Sequence, residues 1–221
     1  MPEAFPISNG METLITSPDI ERYIQNLYPV EDPLLIEMGE LGTKINFPLV
    51  GPLVGRLLYQ FAKLTSAKNV FEMGSGFGYS AFWFALALPE DGAVHLTDQS
   101  QKNSELAKRY FLQGNLAHKA KFHVGDAVEI LKKTNENFDI IFIDLDKESY
   151  PKALELAKTK LDVGGLLIAY NLLWFGQVLE KHGDSATEAI KEFNQKLFND
   201  CNFISTLLSI RDGIGVAYKI R

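Results

Sequence analysis

Two places in the chain combine residue types and spacing that could do chemistry. The first is Glu72-Met73-Gly74-Ser75-Gly76-Phe77-Gly78-Tyr79-Ser80, at the end of a short β-rich run. Glycines in such a bend let the backbone turn sharply and approach a ligand that a Cβ would repel. The run follows a predicted strand, opens a predicted helix, and sits about 20 residues before Asp98. A carboxylate there, at the end of the next strand, can bind ribose hydroxyls. A dinucleotide site uses the same geometry, but its G-x-G-x-x-G pattern needs a glycine where Tyr79 stands. Here the third glycine falls one residue early, at Gly78. The spacing suits a nucleoside without a pyrophosphate; an ordinary glycine-rich turn is the plain alternative.

The second place is the run FIDLDK. Asp144 and Asp146 are two apart at the end of a predicted strand, so their side chains leave the same face. Two carboxylates together in a crevice need a cation, a lysine or a raised pKa to compensate them. Lys147 is the adjacent lysine, and a solvated salt-bridge cluster is the competing reading. Asp126, ahead of AVEIL, reads as a helix N-cap. His95 and His123 fall on predicted strands, where a structural place is expected. Cys201 is the single cysteine and cannot form an internal disulfide.

These residues need elements to position them. The first part of the chain reads as helical. Ser17-Pro18 starts a stripe of Ile20, Tyr23, Ile24, Leu27 and Tyr28, and Asp32-Pro33 starts another with Leu34, Leu35, Met38 and Leu41. A third amphipathic segment carries Val54, Leu57, Leu58, Phe61 and Leu64. Such stripes are expected to be packing surfaces. From about residue 69, β-rich and helical runs alternate: NVFEMG, AVHLTD, AKFHVGD, FDIIFIDLD and GLLIAYN are each followed by a helical pattern. The last helix opens with Ser185 and Glu188 at capping-box spacing. ISTLLSI and GIGVAYKI then flank Arg211-Asp212, a predicted hairpin. The expected fold class is α/β: a doubly wound, mostly parallel seven-stranded sheet with an antiparallel terminal hairpin and extra N-terminal helices. One domain is expected over residues 1–221, with 1–47 a helical segment and 48–221 the core.

Composition narrows the class of partner. The 221 residues are 46% hydrophobic and 23% charged, an ordinary globular balance. A net charge of −6 argues against a phosphate backbone as ligand. No run approaches the roughly 20 apolar residues that span a bilayer. The opening residues, MPEAFPISNGMETL, do not read as a secretory signal, so a cytoplasmic place is expected.

Taken in order, these segments resemble the class I S-adenosylmethionine-dependent methyltransferases. More narrowly, the chain resembles the cation-dependent O-methyltransferases related to caffeoyl-CoA and catechol O-methyltransferase, especially bacterial members. The likeness runs from about Pro52 to the C-terminus, through GPLVGRLL, FEMGSGFGYS, Asp98, VGDAVEIL, FIDLDKESY, LDVGGLLIAYN, NLLWFGQV and RDGIGVAYK. The resemblance implies S-adenosylmethionine as cofactor, a small aromatic hydroxyl compound as acceptor, and a homodimer. It implies that Glu72, Gly74, Tyr79 and Ser80 line the methionine and ribose side, together with Ser75 and Gly76. It places Asp98 and Gln99 at the ribose, and Asp126 and Ala127 at the adenine. Asp144 becomes a cofactor neighbour and a ligand of a divalent cation such as Mg²⁺, with Asn171 as another ligand. Lys147 becomes a general base or a substrate-orienting group, and Trp174 a wall of the acceptor pocket. The departure is Tyr170, where that family has an aspartate as second anionic ligand. A neutral phenol is a poor replacement for it, which leaves metal dependence open. Tyr170 is then a hydrogen-bonding group in the pocket or a packing residue. A metal-free enzyme with a nitrogen or other acceptor, and a cofactor-binding protein without catalysis, are the alternative functions.

Overall fold

The alternation of β-rich and helical runs folds into three layers, with helices on both faces of one sheet. The computed structural model describes residues 15–221; the reading of Met1–Leu14 falls outside them. The strands are β1 (Asn69–Met73), β2 (Ala93–Asp98), β3 (Ala120–Val124), β4 (Phe138–Ile143), β5 (Leu161–Tyr170), β6 (Phe203–Leu208) and β7 (Ile214–Lys219). The helices are α1 (Pro18–Leu27), α2 (Pro33–Lys44), α3 (Gly51–Leu64), α4 (Tyr79–Ala87), α5 (Gln101–Gln113), α6 (Ala127–Lys133), α7 (Tyr150–Lys160) and α8 (Ser185–Phe198). The seven strands lie in the order β3-β2-β1-β4-β5-β7-β6. β1 to β5 are parallel, and β7 runs antiparallel to both β5 and β6. The order reverses between β1 and β4, so a crevice opens beyond their carboxyl ends.

Each face of the sheet has its own core. On one side Val70, Leu96, Ile140 and Ile168 pack against α2 to α5. On the other, Phe71, Ile141, Ile143 and Leu167 pack against α6 to α8. The two sets alternate along the strands, as a sheet buried on both faces requires. Helix α4 is buried nearly all round, which explains why YSAFWFALA has no polar stripe.

Two local expectations change. The cap of α8 is Asp184, whose Oδ1 accepts from Thr187 N at 2.8 Å, and not Ser185. Glu188 still reaches back, but to Gly183 N, because the helix begins one residue earlier than the Ser185 reading placed it. Among the described residues most of the α1 stripe is left open: Ile20, Tyr23 and Leu27 are 54%, 62% and 60% exposed. The α2 and α3 stripes do pack, through Leu35, Met38, Val54 and Leu58.

The two strand histidines take structural places. His95 is buried between the rings of Phe71 and Phe138, with His123 Nε2 at 3.3 Å from its Nδ1. Burial, with Lys121 assisting and Glu136 opposing, lowers the His95 pKa to about 4. In the folded protein His95 therefore stays neutral where the unfolded chain, titrating near 6.5, takes a proton. Its contribution is complete above about pH 6.5 and is lost as the pH falls toward 4, a change of up to about 3 kcal/mol. Replacing His95→Gln should shift the acid-unfolding midpoint, followed by circular dichroism, to lower pH.

Candidate active site

The glycine-rich bend is held from both neighbouring strands. Thr97 on β2 donates its hydroxyl to Glu72 O at 2.7 Å and accepts from Gly74 N at 3.2 Å. Ser75 N donates to Thr97 O at 2.8 Å, and Thr97 N donates to Ser75 Oγ at 3.0 Å. From the β4 side, Asp144 N donates to Met73 O at 2.9 Å. Gly74 has φ +90°, and a Cβ on it would overlap the backbone carbonyl of Asp144. Gly78, also at φ +90°, caps α4 and turns the chain into the helix.

A cavity of about 1560 Å³ lies above this bend. It is lined from the ends of β1 to β5 and from the loop before β7. Gly74, Ser75, Gly76, Tyr79, Ser80, Asp98, Gln99, Asp126, Ala127, Asp144, Lys147, Tyr170 and Asn171 all line it. Asp98 Oδ1 is fixed by Ser100 N at 2.7 Å and Asn103 Nδ2 at 3.1 Å. Its Oδ2 has no partner among the described residues, so an acceptor oxygen is free for a diol. Asp126 caps α6 through Glu129 N at 2.8 Å while it faces the cavity, so capping and lining coexist.

Glu72 alone of the expected set does not line the cavity. It is fully buried, and neither carboxylate oxygen has a hydrogen-bond partner among the described residues. Burial raises its pKa to about 8, opposed by the nearby Ser80 and Ser75 hydroxyls and assisted by Asp144 and Asp98.

Beyond β4 the two aspartates part. Both lie after the strand, which ends at Ile143, so they do not share a strand face. Asp146 is exposed, begins a short 3-10 turn and accepts from Ser149 Oγ at 2.6 Å. Asp144 is partly buried, and Lys147 Nζ donates to its Oδ1 at 3.3 Å. The same nitrogen donates to Asn171 Oδ1 at 2.8 Å, Leu145 O at 3.0 Å and Tyr150 Oη at 3.0 Å. Burial raises the Asp144 pKa; Lys147 opposes the rise and Asp212 adds to it. Tyr170 is buried at the cavity wall, with its pKa pushed to about 12 mainly by burial, so the phenol is neutral near pH 7.

Asp212, expected only in the hairpin turn, joins the site from the loop before β7. It is only 5% exposed; Oδ2 accepts from Asn171 Nδ2 at 2.7 Å and Oδ1 from Phe175 N at 2.6 Å. It thereby fixes a loop in which Asn171, Trp174 and Phe175 have positive φ. The signal in the sequence was the Asp-Gly turn, which reads as a hairpin and hides the carboxylate's second task. Trp174 lines the cavity, and its buried Nε1 lacks a partner among the described residues. The role of Thr97 is not legible in the sequence, because a threonine inside a strand carries no distinctive pattern.

Comparisons with known proteins agree with this geometry. The O-methyltransferase family model matches residues 31–220. A tapetum-specific methyltransferase of Arabidopsis thaliana is 32% identical, with 94% of this chain and 96% of that protein covered. Caffeoyl-CoA O-methyltransferase 1 of Arabidopsis thaliana is 30% identical, with 96% and 88% covered. The O-methyltransferase of Bacillus cereus, solved with S-adenosylhomocysteine, superposes with a TM-score of 0.83 at 25% identity, covering 91% of this chain and 97% of that one. The chain belongs to this family and is an S-adenosylmethionine-dependent O-methyltransferase.

The raised Glu72 pKa gives a test of the bend. The stability that protonated Glu72 carries is present at low pH and is lost as pH rises through about 8. Glu72→Gln should therefore raise the melting temperature of the ligand-free protein relative to wild type at pH 9, and do so much less at pH 6. The gain at pH 9 should exceed the gain at pH 6 by on the order of 3 kcal/mol, read by differential scanning calorimetry.

Proposed function

We propose that the protein methylates a hydroxyl of a small aromatic acceptor, with the nucleoside of S-adenosylmethionine lying from Asp98 to Asp126 and its sulfonium facing Asp144 and Lys147. The observation that carries this reading is the free Asp98 carboxylate oxygen one strand away from the Gly74 bend, in one continuous cavity. Bound there, the cofactor supplies an electrophilic methyl group on sulfur. The chain's part is alignment, since methyl transfer is an in-line displacement whose rate depends on holding the acceptor oxygen close to that carbon. Trp174 and Phe175 offer flat apolar walls for an aromatic ring. The caffeoyl-CoA activity in a relative's name supports an aromatic acceptor here.

Lys147 orients in this reading and does not take the acceptor's proton, because its three N–H groups are shared among four oxygens within hydrogen-bond distance. Tyr170, neutral and buried, is a wall of the acceptor side. A cytoplasmic place and a homodimer complete the proposal. Among the described residues no helix is long and apolar enough to cross a membrane. The exposed Ile20, Tyr23 and Leu27 stripe of α1 supports a second copy as the cover for that face.

Isothermal calorimetry with S-adenosylhomocysteine should give binding at one site per chain, and Asp98→Ala should weaken it by about tenfold or more, about 1.4 kcal/mol. No binding at millimolar ligand would remove the cofactor assignment. In light scattering after size exclusion, Tyr23→Lys with Leu27→Glu should shift a dimer toward monomer. A wild-type monomer at high protein concentration would contradict the dimer.

A further inference from the structure

The cation-dependent relatives that the sequence resembles imply a divalent ion at Asp144 and Asn171. The residues here do not fit one. A hard divalent cation needs several oxygens within about 2.0–2.6 Å and carboxylates to balance its charge. The point between Asp144 Oδ1 and Asn171 Oδ1 is taken by Lys147 Nζ, at 3.3 and 2.8 Å. A second cation there would meet the ammonium at contact distance. The neighbouring carboxylates of the cavity are held by donors of their own or lie exposed. Asp212 accepts from Asn171 Nδ2 and Phe175 N, and exposed Asp146 accepts from Ser149 Oγ. The position before Asn171 offers the Tyr170 phenol instead of a carboxylate.

The surroundings of Lys147 are those of a bound cation. Four oxygens of four kinds face Nζ: a carboxylate, an amide, a backbone carbonyl and a phenol. The Tyr150 ring lies 4.7 Å and the Trp174 ring 5.6 Å from the same nitrogen, which adds aromatic faces to the shell. The residue is only 8% exposed. Tyr150 Oη is in turn fixed by donating to Tyr170 O at 2.8 Å, so the shell is tied into β5.

We propose that the Lys147 ammonium is the resident cation of this active site, a tethered replacement for the divalent ion. It fixes Asp144 directly, and Asn171 with Asp212 behind it. Lys147 is thus a positioning residue, and the enzyme's site is complete without a metal. The inference rests on the methyltransferase reading for the site's purpose, while the cation question can be read separately.

The test uses the full chain, freed of metal with EDTA, desalted and saturated with S-adenosylhomocysteine. Mn²⁺ is titrated in while the electron paramagnetic resonance signal of the free ion is recorded. The expected result is that all Mn²⁺ remains free and that millimolar Mg²⁺ leaves the melting temperature unchanged. One equivalent of Mn²⁺ bound at micromolar concentration would overturn the proposal. The double variant Lys147→Ala/Tyr170→Asp removes the ammonium and adds a carboxylate; it should gain one Mn²⁺ site. A folded double variant that binds none would also count against the proposal. Should that variant not fold, Lys147→Ala alone serves: propylammonium should raise its melting temperature more than that of wild type. Equal responses would overturn the proposal. Calorimetry with S-adenosylhomocysteine on the same wild-type protein keeps failure of the cofactor reading distinct from failure of the cation reading.

Discussion

The close approach of Gly74 to the Asp144 carbonyl is the constraint on which the site depends. β1 and β4 are parallel neighbours, and their ends must part to leave room for a ligand. Without a Cβ at residue 74, the tip of β4 rests on the β1 bend with only backbone between them. The Asp144 N to Met73 O bond closes that join, and Thr97 ties the bend to β2 from the other side. Three strand ends are thereby fixed together, and Asp98 and Asp144 inherit their places from them. Any side chain at residue 74 would have to take φ +90° and displace backbone as well.

Around this join the chain holds charged and strained groups that burial disfavours, and each has a physical means of support. Asp144 has Lys147 as its partner, and Asp212 has two N–H donors. Glu72 has only the weak help of the nearby Ser80 and Ser75 hydroxyls and meets burial by keeping its proton, with its pKa near 8. Asn171, Trp174, Phe175 and Arg211 all have positive φ, a backbone state that costs on the order of 1–3 kcal/mol for such residues. They persist because Asp212 and Lys147 fix the loop from both sides. Stored strain and buried charge thus gather at one end of the sheet, while the two cores on its faces supply ordinary apolar stability.

Much of this was legible in the sequence, for reasons that differ by residue. Strands buried on both faces are apolar runs, so the sheet and its terminal hairpin could be read directly from NVFEM through GVAYK. The glycine bend and Asp98 could be read because a ligand-binding turn restricts residue type at fixed spacing. Asp144 and Asp146 misled because period-two logic holds only within a strand, and β4 stops before both. Glu72 stands in a recognisable motif, yet it is fully buried and does not line the cavity, which no motif records. Asp212 and Thr97 act through contacts with residues 41 and 25 positions away, and such partners leave no local trace. The α1 stripe was legible as apolar but not as left open, since a pattern states what must be covered and not by whom.

The most direct test of the central claim is a crystal structure of the protein with S-adenosylhomocysteine. The account predicts ribose hydroxyls within about 3 Å of Asp98, adenine beside Asp126 and Ala127, and sulfur facing Asp144 and Lys147. Density for the nucleoside at any other place, or packed side chains filling the gap between Gly74 and Asp98, would contradict it.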